Sequence, residues 1–289
     1  MNIIVCVKQV AQIYVQSGYD PSTNALVSDG LVYILNPYDE FAVGAAVRQR
    51  EKAGAGTVSV ISIGPSRAED ALRWCLALGA DEAVHVVNPG TESPDTWTTA
   101  SILADLIKQM KFDLLLFGKK AIDDEMGQVG PFVSELLNVP LVTAVADIDS
   151  TSAGKFKLQR VLERGDREEV TCPQPAAFTM EKTSAHPKYP TLPAKKAARE
   201  KTIRQIDLHS LGSFPIVSKM VTLRLAPPKI KPKKILAPDS DLSDADRMKF
   251  IMTGGMGNKQ GGTVGGNPDK IVSSIIDFLK EKKLLKTQF

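Results

Sequence analysis

The fifteen residues FGKKAIDDEMGQVGP, from Phe117 to Pro131, concentrate the side chains best suited to hold a charged ligand. They follow the apolar run Leu114 to Phe117 and precede Phe132, Val133, Leu136 and Leu137 at helical spacing, so the order is strand, loop, helix. In a parallel sheet such a loop lies at the ligand end of its strand. Gly127 and Gly130 let a backbone approach a ligand closely. Pro131 suits a first helical position, leaving free amides and the positive helix end toward an anion such as phosphate. Asp123, Asp124 and Glu125 repel phosphate, so their chemistry is to accept hydrogen bonds from ribose hydroxyls or to face solvent. On pattern alone this is equally an acidic loop before a well-capped helix. Asn36, Pro37, Tyr38 and Asp39 form a second loop that either lends polar groups to the same crevice or simply caps its helix. Gly64 and Pro65 close a third strand as a turn.

No constellation for covalent or metal chemistry accompanies these loops. Cys6, Cys75 and Cys172 are widely spaced without a CxxC, which suits reduced thiols, and His85, His186 and His209 are equally scattered. No serine lies in a GxSxG elbow. The tail GGMGNKQGGTVGG lacks both the GxGxxG and the GxxxxGK[ST] spacing and reads as a flexible linker. The basic run Lys195, Lys196, Arg199 and Lys201 has no interleaved aromatics, which favours a solvated or docking face over nucleic acid. With 36 basic and 33 acidic residues, the net charge of +3 is too balanced for a general nucleic-acid binder. A chain of 289 residues, 43% hydrophobic and 24% charged, is expected to fold as one large or two modest globular domains. Its apolar runs fall far short of the roughly 20 residues that cross a bilayer. The start at Asn2 has neither a basic n-region nor an Arg-rich transit pattern, and a cytoplasmic protein is expected. Binding is favoured over catalysis.

Positioning these loops requires an α/β scaffold. Ile3 to Val7, Thr57 to Ile63, Ala83 to Val87, Leu114 to Phe117 and Leu141 to Val145 are short and apolar enough for strands buried on both faces. Helices are expected from Pro37 to Ala53 with Asn36 as N-cap and Gly54 as stop, after Pro65 up to Gly79, from Thr96 to Met110, and from Pro131. The alternation implies a doubly wound, mostly parallel sheet. From Asp147 the pattern changes: Lys155 to Leu162 and Glu168 to Cys172, joined at Gly165 and Asp166, and then Ala176 to Met180, read as an antiparallel edge extension. Three prolines between Glu181 and Arg204 forbid regular structure throughout that stretch. Ala226 to Pro238 reads as a linker, so the expected division is a nucleotide-binding domain over 1–225 and a linker with a C-terminal helix over 226–289. That helix, Pro268 to Lys283, carries an apolar stripe of Ile271, Val272, Ile275, Ile276 and Leu279.

Six segments together resemble one family. IIVCVKQV, DGLVYILNPYDEFAVGAAVRQRE, ISIGPSRAEDALRWCLALGADEAVHV, GKKAIDDEMGQVGP, VLERGDREEVTCPQPAAFTM and HPKYPTLP occur in order over roughly the first 205 residues. In that order they are similar to the beta subunit of electron transfer flavoproteins, including its FixA-like and bifurcating branch. The resemblance implies a Rossmann-like subunit paired with an alpha subunit that holds a redox FAD. It also implies an adenine nucleotide in the beta subunit itself, either AMP or a second FAD. The nucleotide residues it implies are Cys6, then Asn36, Pro37, Tyr38 and Asp39, then Ile63. The acidic loop adds Lys120, Ala121, Ile122, Asp123, Asp124 and Glu125, followed by Met126, Gly127, Gln128, Val129, Gly130 and Pro131. The housekeeping branch resembles DDDxNQTGQ in this loop, whereas the QVGP ending here resembles the bifurcating branch and favours FAD, with NADH as electron source. A partner-docking loop is implied near 184–205, with Leu192 as the anchoring leucine and Lys195 and Lys196 beside it. The implied partner is an acyl-CoA or other dehydrogenase, and because Ala194, Lys195, Lys196 and Ala197 replace the housekeeping NIMK, one that differs from the usual acyl-CoA type is expected. A non-bifurcating shuttle with structural AMP, and a nucleotide-binding regulatory or scaffold protein, are the alternatives. An adenylating enzyme is disfavoured because Lys8 to Tyr14 holds neither Gly nor Ser.

Overall fold

The computed structural model describes residues 1–12, 19–20, 22, 25–26, 31–88, 94–150, 154–182, 187–207, 241–252 and 266–281. β1 (Ile3–Cys6) is buried along its whole length, as an apolar strand covered on both faces must be. Next come β2 (Gln9–Gln12), β3 (Tyr19–Asp20), β4 (Ala25–Leu26) and β5 (Val32–Leu35). β2 pairs with β5 and β3 with β4, both antiparallel, in a stretch for which the sequence reading names no strand. α1 (Pro37–Ala53) opens with Pro37, carries Asp39 and Glu40 in its first turn, and stops at Gly54 with φ of 72°.

β6 (Val58–Gly64) leads through a short 3₁₀ turn into α2 (Glu69–Leu78), which ends at Gly79 with φ of 115°. β7 (Glu82–Val87) and α3 (Thr96–Ile107) follow. Asp95 caps α3 by accepting the Thr98 amide at 2.7 Å, and the helix gives way to tighter turns three residues before the expected Met110. β8 (Leu114–Gly118) and α4 (Val129–Leu137) complete the doubly wound half.

β9 (Leu141–Ser150), β10 (Lys155–Val161) and β11 (Arg167–Pro173) form the expected antiparallel edge. β12 (Ala176–Met180) corrects the reading of that region. It does not extend the edge but inserts between β8 and β9, parallel to both, because its five residues are all buried and fit only an interior strand. α5 (Leu192–Glu200) and β13 (Arg204–Asp207), neither of them anticipated, follow, and β13 runs parallel to β7 at the far edge. The nine-stranded order is β11-β10-β9-β12-β8-β1-β6-β7-β13.

Alternation along the strands sorts the core into two layers. Ile3, Val5, Val58, Val60, Leu114, Leu116 and Phe178 face α1, α2 and α5. Ile4, Cys6, Ile61, Leu115, Phe117 and Ala177 face α3 and α4. The chain divides into two compact units, Met1–Pro227 and Pro228–Phe289. The second contains α6 (Asp244–Met252), which was not anticipated, and α7 (Pro268–Glu281), on which Val272, Ile275 and Ile276 of the expected stripe are exposed. The expected linker 226–238 and the glycines from Gly254 to Gly265 lie outside the described residues. No helix among the described residues is long and apolar enough to cross a membrane.

Candidate functional site

The chain builds outward from β1 through β6 and β7 with α1 and α2 on one face, then returns through α3 to lay β8 on the other side of β1. The β1/β8 boundary is therefore the topological switch point, where the strand ends open a crevice. Asn36, Pro37, Tyr38 and Asp39 arrive there on the first turn of α1, and the acidic loop arrives from the end of β8.

Asp39 forms the floor. It is only 5% exposed, and its carboxylate accepts the Lys8 amide at 2.7 Å and the Asn36 amide group at 2.9 Å. The Gly118 amide also donates to it. Burial pushes the Asp39 carboxyl up to about 7, against the opposing pull of these hydrogen bonds and of the Lys8 charge. Gly118 is required by this closeness, since a Cβ there would lie 2.1 Å from the Asp39 Oδ1 and 3.0 Å from its backbone nitrogen.

Asn36 occupies the N-cap position of α1, yet its side chain makes no capping bond. Its amide instead crosses to the acidic loop: Nδ2 donates to Asp39 Oδ1 and to the Lys120 carbonyl at 3.0 Å, while Oδ1 accepts the Ile122 amide at 3.3 Å. Both donors are thus engaged, and Asn36 acts as a clip between α1 and the loop. Pro37, which has no N–H to satisfy, and Glu40 at the positive end partly offset the missing cap.

Within the loop, Lys8 Nζ lies 2.9 Å from an Asp123 oxygen and 3.0 Å from an Asp124 oxygen. Burial pulls the Lys8 ammonium down, but the hydrogen bonds and charges of Asp123 and Asp124 outweigh it and hold it above the ordinary lysine value. Lys120 pairs with Glu125 at 2.8 Å, a hydrogen bond that raises the lysine pKa. The three carboxylates are therefore paired, Asp123 and Asp124 sharing one ammonium and Glu125 having its own, which reduces their repulsion of a phosphate without cancelling it. Glu125 and Gly127 adopt left-handed backbone, φ of 54° and 62°, and a Cβ on Gly127 would meet the Lys119 carbonyl at 2.9 Å. Met126, 43% exposed, rests against Thr96, and Gln128 is exposed.

Two details of the loop's end differ from the sequence reading. α4 begins at Val129, so Pro131 is its third residue rather than its first, at another position whose N–H has no intrahelical acceptor. Gly130 is buried, and a Cβ there would meet Thr179 at 3.1 Å and Phe117 at 3.2 Å, so its lack of a side chain also serves helix-to-sheet contact, a role the sequence reading does not assign. The amides of Val129 and Gly130 remain without intrahelical acceptors at the positive helix end.

Cys6 ends β1 inside the core, and burial, with the Asp39 charge behind it, raises its thiol well above the ordinary value, so it is no nucleophile. Ile63 lies near the end of β6, half-buried against the α3 layer. Sequence reading missed Lys8, Gly118, Lys119, Glu181 and Lys182. Lys119 pairs with Glu181 at 2.6 Å, and the Lys182 ammonium sits 4.2 Å over the Tyr38 ring. Burial works to raise Glu181, but Lys119 and the Lys182 amide and charge prevail and lower it. The signal for these residues was position: Gly118 ends β8, Lys119 and Glu181 directly follow β8 and β12, and Lys8 and Lys182 lie two residues past β1 and β12.

The residues expected to dock a partner lie elsewhere in the same unit. Leu192 opens α5 and is 67% exposed, and Lys196 is exposed as well. Lys195 is folded back over the rings of Trp74 and Tyr189.

Residues 23–211 match the electron transfer flavoprotein domain. A protein of Thermoanaerobacterium thermosaccharolyticum named electron transfer flavoprotein subunit beta is 39% identical over 192 residues, 66% of this chain and 72% of its own length. Proteins of the same name from Bacillus subtilis and Mus musculus are 32% and 33% identical, covering 82% and 79% of this chain and 91% and 89% of their own lengths. With the doubly wound fold, the crevice at its switch point and these matches over most of its length, the chain belongs to the family of electron transfer flavoprotein beta subunits.

Proposed function

We propose that this chain binds FAD at the β1/β8 crevice and, paired with an FAD-bearing alpha subunit, passes electrons from NADH or a dehydrogenase to downstream acceptors by flavin-based bifurcation. The observation that carries the reading is the convergence of the α1 first turn, the ends of β1 and β8, and the free first-turn amides of α4 on one crevice, with its acidic side chains already paired. The QVGP ending, Gln128 to Pro131, supports FAD over AMP. Val129 and Gly130 amides would hold phosphate oxygens, Asp123 or Asp124 a ribose hydroxyl, and Asn36 and Asp39 keep the loop in register with the strand ends. FAD, when bound, supplies exchange of one or two electrons. The protein sets its position and surroundings. Leu192 and Lys196 would meet a dehydrogenase partner at a separate surface.

The test is the nucleotide content of the heterodimer purified with its alpha subunit and released by denaturation. Two FAD per heterodimer with no AMP is the expected result. One FAD with one AMP would instead mean a simple electron shuttle with a structural nucleotide. One FAD and no second nucleotide would overturn the crevice assignment. Gly127→Val, which strains the loop at a left-handed position, is expected to purify with its beta site depleted while the alpha-site FAD is retained.

A further inference from the structure

The segment from Pro187 to Lys201 carries the exposed Tyr189 and Leu192, yet it is fastened to α1 and α2 along its length. Pro187 packs on Gly44 of α1, where a Cβ would come within 3.0 Å of the proline Cβ. Thr191 caps α5 by accepting the Ala194 amide at 3.4 Å. At the other end, the Arg73 guanidinium of α2 receives the carbonyls of Ala198, Arg199 and Lys201 at 2.9, 2.8 and 3.3 Å, and so serves acceptors that a helix C-terminus leaves open. Lys201 reciprocates, donating to the carbonyls of Ala80 and Asp81 just past α2.

The centre of this attachment is a cation set against a pair of touching aromatic rings. Lys195 Nζ lies 4.4 Å from the Tyr189 ring centroid and 5.0 Å from that of Trp74, and donates to the Tyr189 hydroxyl at 2.9 Å. The two rings meet edge to face at 5.9 Å. Trp74 is itself fixed, because its indole N–H donates to Glu40 of α1 at 3.0 Å. Lys195 and Lys196 are neighbours in sequence with the same charge, but one is used inward and the other is exposed.

We propose that Lys195 is a positioning residue for the docking segment: clasped by Trp74 and Tyr189, it holds α5 in the geometry a partner meets, while Leu192 and Lys196 make the contact. This rests on the docking reading of Leu192 given above. The rings give the segment an ordered start, so a partner need not supply the ordering entropy on binding. Guanidinium retains attraction for an aromatic face, whereas a neutral amide does not.

The experiment is amide hydrogen exchange over residues 192–200 in the purified heterodimer. Lys195→Gln and Trp74→Ala are expected to speed exchange there about tenfold. Lys195→Arg is expected to restore the wild-type rate, and Lys196→Gln and Leu192→Ala to leave it unchanged. If Lys196→Gln acts as strongly as Lys195→Gln, or if neither Lys195→Gln nor Trp74→Ala changes the rate, the assignment fails. The docking reading is separated by electron delivery from a purified acyl-CoA dehydrogenase. Leu192→Ala should raise the dehydrogenase concentration needed for half-maximal rate without changing exchange. Lys195→Gln should raise it too, with Lys195→Arg rescuing. Wild-type concentration dependence in Leu192→Ala would overturn the docking surface, and with it the positioning role, even where the exchange pattern holds.

Discussion

The loop that leaves β8 and the segment that leaves β12, its neighbour in the sheet, are each held by a lysine, but the two lysines have different partners. Lys8 reaches the acidic loop through two carboxylates that are 32% and 41% exposed. Lys195 reaches α2 through the Trp74 ring, with Tyr189 of its own segment beside it and Arg73 closing the end of the helix on backbone carbonyls. Exposed ion pairs are weak and screened by salt, whereas ring contacts and carbonyl capping depend far less on it. On the proposed function, the region that would meet a charged small ligand is thus left adjustable, and the one that would meet a surface is formed beforehand.

The contrast breaks most severely at the wall under the acidic loop. Gly118→Ala would set a Cβ 2.8 Å from the Tyr38 Cβ, 2.1 Å from the Asp39 Oδ1 and 3.0 Å from the Asp39 nitrogen, so the first turn of α1 and the end of β8 would have to move apart. A loss of about 3 kcal/mol or more in urea unfolding is expected. Hydrogen exchange should rise throughout the acidic loop and stay unchanged over α5. A stability loss under about 1 kcal/mol would mean that the strand end and α1 separate easily.

Asp39 gives a smaller effect with a distinctive sign. Its carboxyl is raised from 3.8 to about 7, so the folded chain binds this proton more tightly than the unfolded chain. The contribution is fully present below about 3.8 and is lost as pH rises through about 7. Asp39→Asn removes that dependence. The variant is destabilised by its mismatched donor toward the Lys8 amide, but its deficit relative to wild type should shrink by about 2–3 kcal/mol between about pH 5 and pH 8. Urea unfolding at both values checks it, and a constant deficit would show that Asp39 does not titrate in this range.

Most of the scaffold could be read from the residues because helix stops and buried strands obey local rules. Gly54 and Gly79 end their helices in left-handed backbone as anticipated, and α1 has the expected bounds. What escaped was decided by partners distant in sequence. Ala176–Met180 follows a hairpin and reads as its continuation, and only burial on both faces sends it between β8 and β9. Gln9–Gln12 becomes a strand because Val32–Leu35 returns to it. At the site, the acidic loop was visible as composition, but Asn36 looked like an ordinary cap until its amide was seen reaching Lys120 and Ile122, more than eighty residues away. Lys195 looked like one cation in a basic run, and of the rings that claim it one is six residues upstream and the other, Trp74, comes from α2.

The finest test of the contrast is salt. Raising sodium chloride from about 0.05 to 1 M shortens the screening length from about 14 Å to 3 Å, which reaches the Lys8 pairs because both partners face water. Amides of the acidic loop that rely on its shape, such as Ile122 on Asn36 and Glu125 on the Ala121 carbonyl, should then exchange a few-fold faster in the nucleotide-free heterodimer. Lys8→Gln at low salt should reproduce the same increase, corresponding to about 0.5–1 kcal/mol for a partly exposed pair, and salt should add little to it. Over α5 the rate should hold within about twofold, since the clasp gains only part of its attraction from long-range charge. Equal acceleration in both regions would show that the aromatic clasp is as open to solvent screening as the carboxylate clip, and that the two segments are held by the same physics after all.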